Sequence, residues 1–161
     1  MNSDFKELLK AFAKEKVEYL IIGGYAVAKH AEPRYTKDLD IWINNSKENA
    51  ERVYHALKYF GAPLGRVTSE DFTINSLVFQ MGIEPSRIDI LMGVKNLVFD
   101  DCWKRKDIAM IDDIETYFIG INDLILNKRS VGRPQDLMDV KNLELKIKEI
   151  ETIENPLPKK E

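Results

Sequence analysis

The chain has 161 residues, of which 44% are hydrophobic and 32% are charged, a composition typical of one globular domain. Its net charge of -3 argues against charge-driven coating of nucleic acid, and its single cysteine excludes an internal disulfide and a cysteine-based zinc cluster. The longest apolar run, Tyr19 to Ala28, is far shorter than the ~20 residues of a membrane-spanning helix, and MNSDFKELLK lacks the apolar core of a secretion signal. We therefore expect a cytoplasmic protein with no membrane partner.

Segments with apolar residues at helical spacing alternate along the chain with short extended segments. Helix ends are marked by an N-cap at Ser46, by Gly132 and by Pro134. The predicted elements, in chain order, are a helix over 4–14, a strand over 19–22, a helix over 25–31, a strand over 39–43, a helix over 46–60, strands over 73–80, 87–91 and near 115–119, a helix that ends at 132, and a last helix from 134. This order predicts an α/β (α+β) fold with one mixed central sheet flanked by helices, and with helices at the C-terminus.

The last predicted helix carries an apolar stripe that is expected to face the core. The tail over 155–161 is polar and broken by prolines, so we expect it to fray. A single domain is therefore expected over residues 1–154. The stripe consists of Leu137, Val140, Leu143, Ile147 and Ile150.

Three carboxylates lie on two of the predicted strands. Side chains alternate along a strand, so Asp38 and Asp40 share one face while the aliphatic residues between and beside them face the core. Asp89 is flanked by aliphatic residues in the same way. If the two strands are neighbours with matched apolar faces, the three carboxylates converge on one patch.

Such a cluster of like charges raises the pKa values of its members unless a cation neutralises it. Mg²⁺ prefers oxygen ligands, commonly carboxylates together with substrate phosphates. An isolated Asp-x-Asp pattern is more often a solvated strand face, so the surrounding sequence decides its meaning. Here Gly23 and Gly24 follow a buried strand and open a helix, a geometry in which free backbone N–H groups can hold phosphate.

The segment YLIIGGYAVAKHAEPRYTKDLDIWI over 19–43, followed by a third acid between aliphatic residues, resembles the nucleotidyltransferase (polymerase-beta-like) superfamily. Within that superfamily it is similar to the AbiEii/MNT-like group of small stand-alone proteins. A second segment, LILNKRSVGRPQDLMDV over 124–140, resembles the downstream Lys and Arg-x-x-Asp-Leu-x-Asp motifs of that group. The resemblance covers residues 19 to about 143.

The resemblance implies a catalytic role for Asp38, Asp40 and Asp89, which would bind Mg²⁺ or Mn²⁺. Asp89 would also help to take the proton of the acceptor hydroxyl. Gly23 and Gly24 would lie against the phosphates of an NTP, where a Cβ would obstruct close approach. The implied reaction transfers a nucleoside monophosphate to a hydroxyl and releases pyrophosphate.

Two basic residues are predicted to bind phosphate. Arg34 lies shortly before the first acid and could instead balance the acidic charge. Lys128 matches a phosphate-contacting lysine of the family, and pairing with its own helix C-terminus is an equal alternative. Four further residues are predicted to support the site or to contact the acceptor: Thr36, Arg133, Asp136 and Asp139.

These observations favour a nucleotidyltransferase whose acceptor is an RNA 3′ end, a protein or a small molecule. Members of the AbiEii/MNT-like group often act as toxins, so the resemblance also implies an antitoxin as a protein partner. The alternative is a non-catalytic nucleotide-binding or interaction module that keeps the fold, against which the intact set of three acids argues. Nucleotide binding without pyrophosphate release would distinguish the module from the enzyme.

Overall fold

Six strands form one mixed sheet in the computed structural model, which describes residues 1–158. The strands are β1 (Tyr19–Ile22), β2 (Asp38–Ile43), β3 (Val78–Met81), β4 (Arg87–Leu91), β5 (Asp107–Ile111) and β6 (Ile114–Phe118). The helices are α1 (Ser3–Lys14), α2 (Gly23–His30), α3 (Lys47–Phe60), α4 (Phe99–Lys104), α5 (Ile121–Val131) and α6 (Pro134–Glu154). The predicted α/β fold with a mixed sheet and C-terminal helices is confirmed.

The order of strands in the sheet is β3–β4–β2–β1–β6–β5. Strand β2 runs antiparallel to β1 and parallel to β4. In the parallel pair, Asp38 lies opposite Arg87 and Asp40 lies opposite Asp89. Ile22, the last residue of β1, is also opposite Asp40. At one end of the central strands, the beginning of β2 therefore lies between the beginning of β4 and the end of β1.

The aliphatic side chains of β2 form part of the core. Leu39 and Ile41 are fully buried, and burial of such a side chain contributes about 1.5–3 kcal/mol. The opposite face is also covered at its far end, because Trp42 is buried and its ring meets Phe99 of α4 edge-on, with the ring centroids 5.2 Å apart. The end of this face near Asp40 opens to a cavity.

Two strand predictions differ from the structure. A strand was expected over 73–80, but the structure has a 3₁₀ turn that ends at Thr73 and a strand, β3, that begins only at Val78. Strand β5 was not predicted, because it is an edge strand whose apolar side chains Ile108 and Met110 are more than half exposed. When the large apolar residues of a strand face solvent, the sequence lacks the pattern of a buried face from which a strand is predicted.

The predicted stripe of α6 is partly wrong. Val140 and Leu143 are buried as expected. The inward positions before them are taken by Asp136 and Asp139, which are at most 1% exposed because cations on neighbouring elements pair with them. Carboxylates on a helix surface are normally expected to face water, so the sequence pattern favoured the wrong face. The stripe residues that are exposed are Leu137 and Ile150.

The last helix ends at Glu154. The frayed tail over 155–161 stays a prediction, and residues 159–161 lie outside the described part of the chain. Across residues 1–158, no helix combines the length and apolar character needed to cross a bilayer.

Candidate active site

Three acids from two strands line one cavity of about 550 Å³. Asp38 and Asp40 come from β2, and Asp89 comes from β4. Because β2 and β4 pair in parallel with Asp40 opposite Asp89, all three side chains lie on the same face of the sheet. The side chain of Asp38 is 25% exposed and that of Asp89 is 10% exposed. The structure thus brings the three acids together at the open end of the sheet.

An arginine lies among these acids. Arg87 precedes Asp89 by two positions on β4 and shares its face. Its Nη2 donates to Asp38 Oδ2 at 2.7 Å and to Asp89 Oδ2 at 3.1 Å. Arg87 was not among the predicted site residues, although its i, i+2 spacing from Asp89 places both side chains on one strand face and was a signal for it.

Asp40 does not share in this pairing with Arg87, and its ionised form is disfavoured by its surroundings. Burial, then the negative charge of Asp89, then that of Asp38, raises the pKa of Asp40 to about 6. Lys128 acts in the opposite direction, but its charge does not offset the others. The immediate surroundings of Asp40 therefore disfavour its negative charge.

Unused oxygen atoms indicate what this cluster can bind. Asp38 Oδ1 and Asp89 Oδ1 are buried and have no hydrogen-bond partner among the described residues. A buried carboxylate oxygen without a partner is costly, and a divalent cation with oxygen ligands removes that cost. The donor chemistry thus fits Mg²⁺ or Mn²⁺, although within residues 1–158 no three His, Cys, Asp or Glu side chains form a ready-made metal site.

Gly23 and Gly24 lie where neighbouring side chains approach the backbone too closely for a Cβ atom. Gly23 has φ +66°, in the left-handed region, and a Cβ on it would overlap the carboxylate of Asp40. A Cβ on Gly24 would lie 2.6 Å from Thr36 Cγ2. Both glycines line the cavity. In this structure the absence of a Cβ thus lets Asp40 and Thr36 approach the first turn of α2.

Replacing Gly23 by Ala should destabilise the fold more than backbone strain alone explains. A left-handed conformation costs a residue with a Cβ roughly 1–2 kcal/mol, and the overlap with Asp40 adds to that. Gly65→Ala is a matched control, because Gly65 also has a positive φ but has open space at its Cβ position. Urea unfolding of both variants measures the difference. If the two variants lose equal amounts of unfolding free energy, the contact between Gly23 and Asp40 does not constrain the site.

Behind the acids lies a network of buried charges. Lys128 Nζ is 3.0 Å from Asp139 Oδ2 and 3.3 Å from Asp136 Oδ1. Arg34 Nη2 also donates to Asp139, at 3.1 Å, and Arg133 Nε donates to Asp136 at 2.7 Å. Burial raises the pKa of Asp136, but hydrogen bonds from Arg133 and Lys128 outweigh it, and the net pKa is lowered. This network joins α5 and α6 to the loop before β2.

The network shows what the predicted supporting residues contact. Arg34 and Lys128 line the cavity, and both also hold Asp139. The side chain of Asp139 is completely buried, so it contacts these cations and has no surface to offer an acceptor. Thr36 donates to the backbone carbonyl of Arg34 at 3.3 Å, which helps to shape the loop. Further wall residues that the sequence gave no reason to select are Val78, Gln80, Leu91, Asn127 and Val131.

Comparisons with known proteins give a consistent result. A family model described as "Nucleotidyltransferase of unknown function (DUF6036)" matches residues 2–154. The search of curated proteins found no match. Among solved structures, the chain is similar to the lincosamide antibiotic adenylyltransferase LnuA bound to lincomycin, with 17% identity, coverage of 89% of this chain and 96% of that chain, and a TM-score of 0.58.

Two other solved structures are similar over comparable lengths. One is a protein from Thermotoga maritima described as a nucleotidyltransferase, with 14% identity, coverage of 90% and 91%, and a TM-score of 0.58. The other is ANT(2'')-Ia in complex with adenylyl-2''-tobramycin, with 12% identity, coverage of 93% and 89%, and a TM-score of 0.54. At these identities the likeness establishes a shared fold.

Proposed function

The chain belongs to a family of nucleotidyltransferases, and from that membership we propose that it transfers a nucleoside monophosphate from an NTP to an acceptor hydroxyl, with release of pyrophosphate. The main support is the set of three acids on one face of β2 and β4, two of which have buried oxygens without hydrogen-bond partners within residues 1–158. Residues 1–154 act in this proposal as one nucleotidyltransferase unit. We place it in the cytoplasm, which suits a chain with one unpaired cysteine.

In the proposed site, Asp38, Asp40 and Asp89 bind Mg²⁺ or Mn²⁺. When bound, the ion would supply charge stabilisation of the phosphate oxygens and would lower the pKa of the acceptor hydroxyl. Arg34 and Lys128 face the same cavity and present positive charge to the triphosphate. Gly23 and Gly24 also line this cavity, and in the proposal the first turn of α2 meets the phosphates there.

The acceptor hydroxyl oxygen attacks the α-phosphorus of the NTP. A bond forms between that oxygen and phosphorus as the bond from phosphorus to the bridging α,β oxygen breaks, and the electron pair leaves with pyrophosphate. Asp89 takes the hydroxyl proton. The protein's contribution is to position the two reactants and to stabilise charge, so no covalent intermediate with the enzyme is needed.

We propose a small hydroxyl-bearing molecule as the acceptor. The cavity that holds the NTP in this proposal also has apolar walls at Val78, Leu91 and Val131 beside its charged floor, which suit the carbon skeleton of a small acceptor. LnuA is described as an antibiotic adenylyltransferase, and ANT(2'')-Ia was solved with an adenylylated antibiotic, which supports this class. RNA 3′ ends and protein side chains are the other acceptors. A toxin of the AbiEii/MNT-like kind with an antitoxin partner is a finer proposal that rests on the sequence resemblance.

Incubation with each α-³²P-labelled NTP, Mg²⁺ and cell extract tests the proposal. After separation of the extract, we expect label in the small-molecule fraction together with released pyrophosphate. Asp38→Asn should abolish the label, whereas the matched variant Asp113→Asn, on an exposed turn, should keep it. Label in RNA or protein would change the acceptor class. NTP binding with no label in any fraction would favour the non-catalytic module.

A further inference from the structure

We propose that the Arg87 guanidinium is an internal counter-ion that competes with the divalent cation for the same carboxylates. The cation binds by displacing Arg87 from Asp38 and Asp89. This inference rests on the proposed function only in that it takes these acids as the cation ligands. It adds that a residue of the chain itself sets how tightly the cation binds.

The position of the guanidinium supports this exchange. One nitrogen, Nη2, bridges Asp38 Oδ2 and Asp89 Oδ2. Strand pairing fixes this geometry, since Arg87 lies opposite Asp38 and on the same face as Asp89. A positive charge shared by two carboxylates from neighbouring strands lies where a cation bound by both would also lie. The two cations therefore cannot both occupy the site.

The bridge is also incomplete, which makes it replaceable. Arginine pairs most strongly with a carboxylate through two parallel hydrogen bonds to both oxygens. Here Asp38 Oδ1, Asp89 Oδ1 and Arg87 Nε are all buried without hydrogen-bond partners among the described residues. Two carboxylate oxygens thus stay available to a cation that accepts several oxygen ligands.

Arg87 has a way out of this position. Its side chain is 34% exposed and lines the cavity, whereas Lys128, which pairs with Asp136 and Asp139, is 6% exposed. Arg87 can therefore move toward solvent and keep its charge hydrated. Lys128 has no comparable route, so the buried network stays in place when the cation binds.

Titration of the metal-free protein with Mn²⁺ alone tests the inference. The EPR signal of free Mn²⁺ measures how much of the ion is bound. We expect Arg87→Met to bind Mn²⁺ about tenfold more tightly than wild type, because the two hydrogen bonds from Arg87 to Asp38 and Asp89, partly screened by solvent, together correspond to a change of roughly that size. Lys37→Met is the matched control. Lys37 lines the same cavity but pairs with Glu84, so its removal deletes a charge without freeing a carboxylate of the cluster. We expect the Mn²⁺ affinity of Lys37→Met to differ from that of wild type by less than about threefold, because solvent screens an exposed charge.

Equal or weaker Mn²⁺ binding by Arg87→Met would overturn the inference, as would equal tightening by Lys37→Met. If Arg87→Met does not fold, wild type labelled with ¹⁵N-arginine gives the second measurement. The Arg87 Nε resonance should shift when Mg²⁺ saturates the protein, and an unchanged resonance would overturn the inference. If wild type transfers nucleotide but Arg87→Met binds Mn²⁺ no more tightly than wild type, this inference fails while the proposed function stands.

Discussion

Replacing Asp40 by Asn should reduce nucleotide transfer by at least about a thousandfold, because the variant loses one of three anionic cation ligands at the reacting phosphate. The same substitution should make the metal-free protein more stable at pH 8. Burial and the charges of Asp89 and Asp38 disfavour the ionised form of Asp40. Activity and stability are thus expected to change in opposite directions.

The pH range of this stabilisation follows from the pKa of Asp40. Burial and the charges of Asp89 and Asp38 raise that pKa to about 6 in the folded protein. The folded state therefore binds the proton more tightly than the unfolded chain, so ionisation of Asp40 above pH 6 costs stability. Because Asp40 is half-buried, we expect a cost of about 2 kcal/mol at pH 8. The cost falls as the pH is lowered through 6 and vanishes near pH 4.

Urea unfolding of wild type and Asp40→Asn between pH 4 and pH 8, in a chelator, measures this effect. The variant should exceed wild type at pH 8 and match it near pH 4. Asp113→Asn controls for the loss of one negative charge, because Asp113 is exposed on a turn. A variant no more stable than wild type at pH 8 would show that the folded protein tolerates ionised Asp40 without cost.

Replacing Lys128 by Met should reduce the free energy of unfolding by about 3 kcal/mol, since removal of one partner leaves buried carboxylates unpaired. Lys128, Asp136 and Asp139 are all at least 94% buried, so water cannot compensate. Arg133 and Arg34 still pair with the two acids, which keeps the expected loss at the lower end of the range for buried pairs.

Arg129→Met is the matched control for Lys128→Met. Arg129 is the next residue on α5 and pairs with Glu144, but both side chains are about half exposed. Surface pairs contribute about 0–1 kcal/mol, so its loss should be small. Similar losses for the two variants in urea unfolding would contradict the structural role of Lys128. NTP affinity of the folded Lys128→Met protein then tests whether the residue also binds phosphate.

The mixed sheet and its acids could be predicted from the sequence, because the alternation of apolar and acidic residues on β2 and β4 is a local signal. Leu39 and Ile41 turn one face inward, which leaves Asp38 and Asp40 on the other. The parallel pairing of β2 with β4 is not local, so the meeting of Asp89 with these acids was stated only as a condition. The structure supplies that pairing.

The parts that sequence reasoning missed depend on contacts between distant residues. Asp136 and Asp139 were left out of the predicted inward stripe of the last helix, because nothing near them in sequence shows that Lys128 is buried against them. Arg87 was passed over because an arginine at the start of a strand is ordinary. Only the register with Asp38 reveals that it bridges two acids.

The ion pair between Arg34 and Asp139 has a consequence for synthesis of the protein. The two residues are separated by 105 positions, and Asp139 belongs to the final helix. A growing chain on the ribosome has all three acids long before it has the partner that holds Arg34 beside them. The cavity wall is completed only after α6 has been synthesised, so a chain terminated before Asp139 should lack the proposed transfer activity.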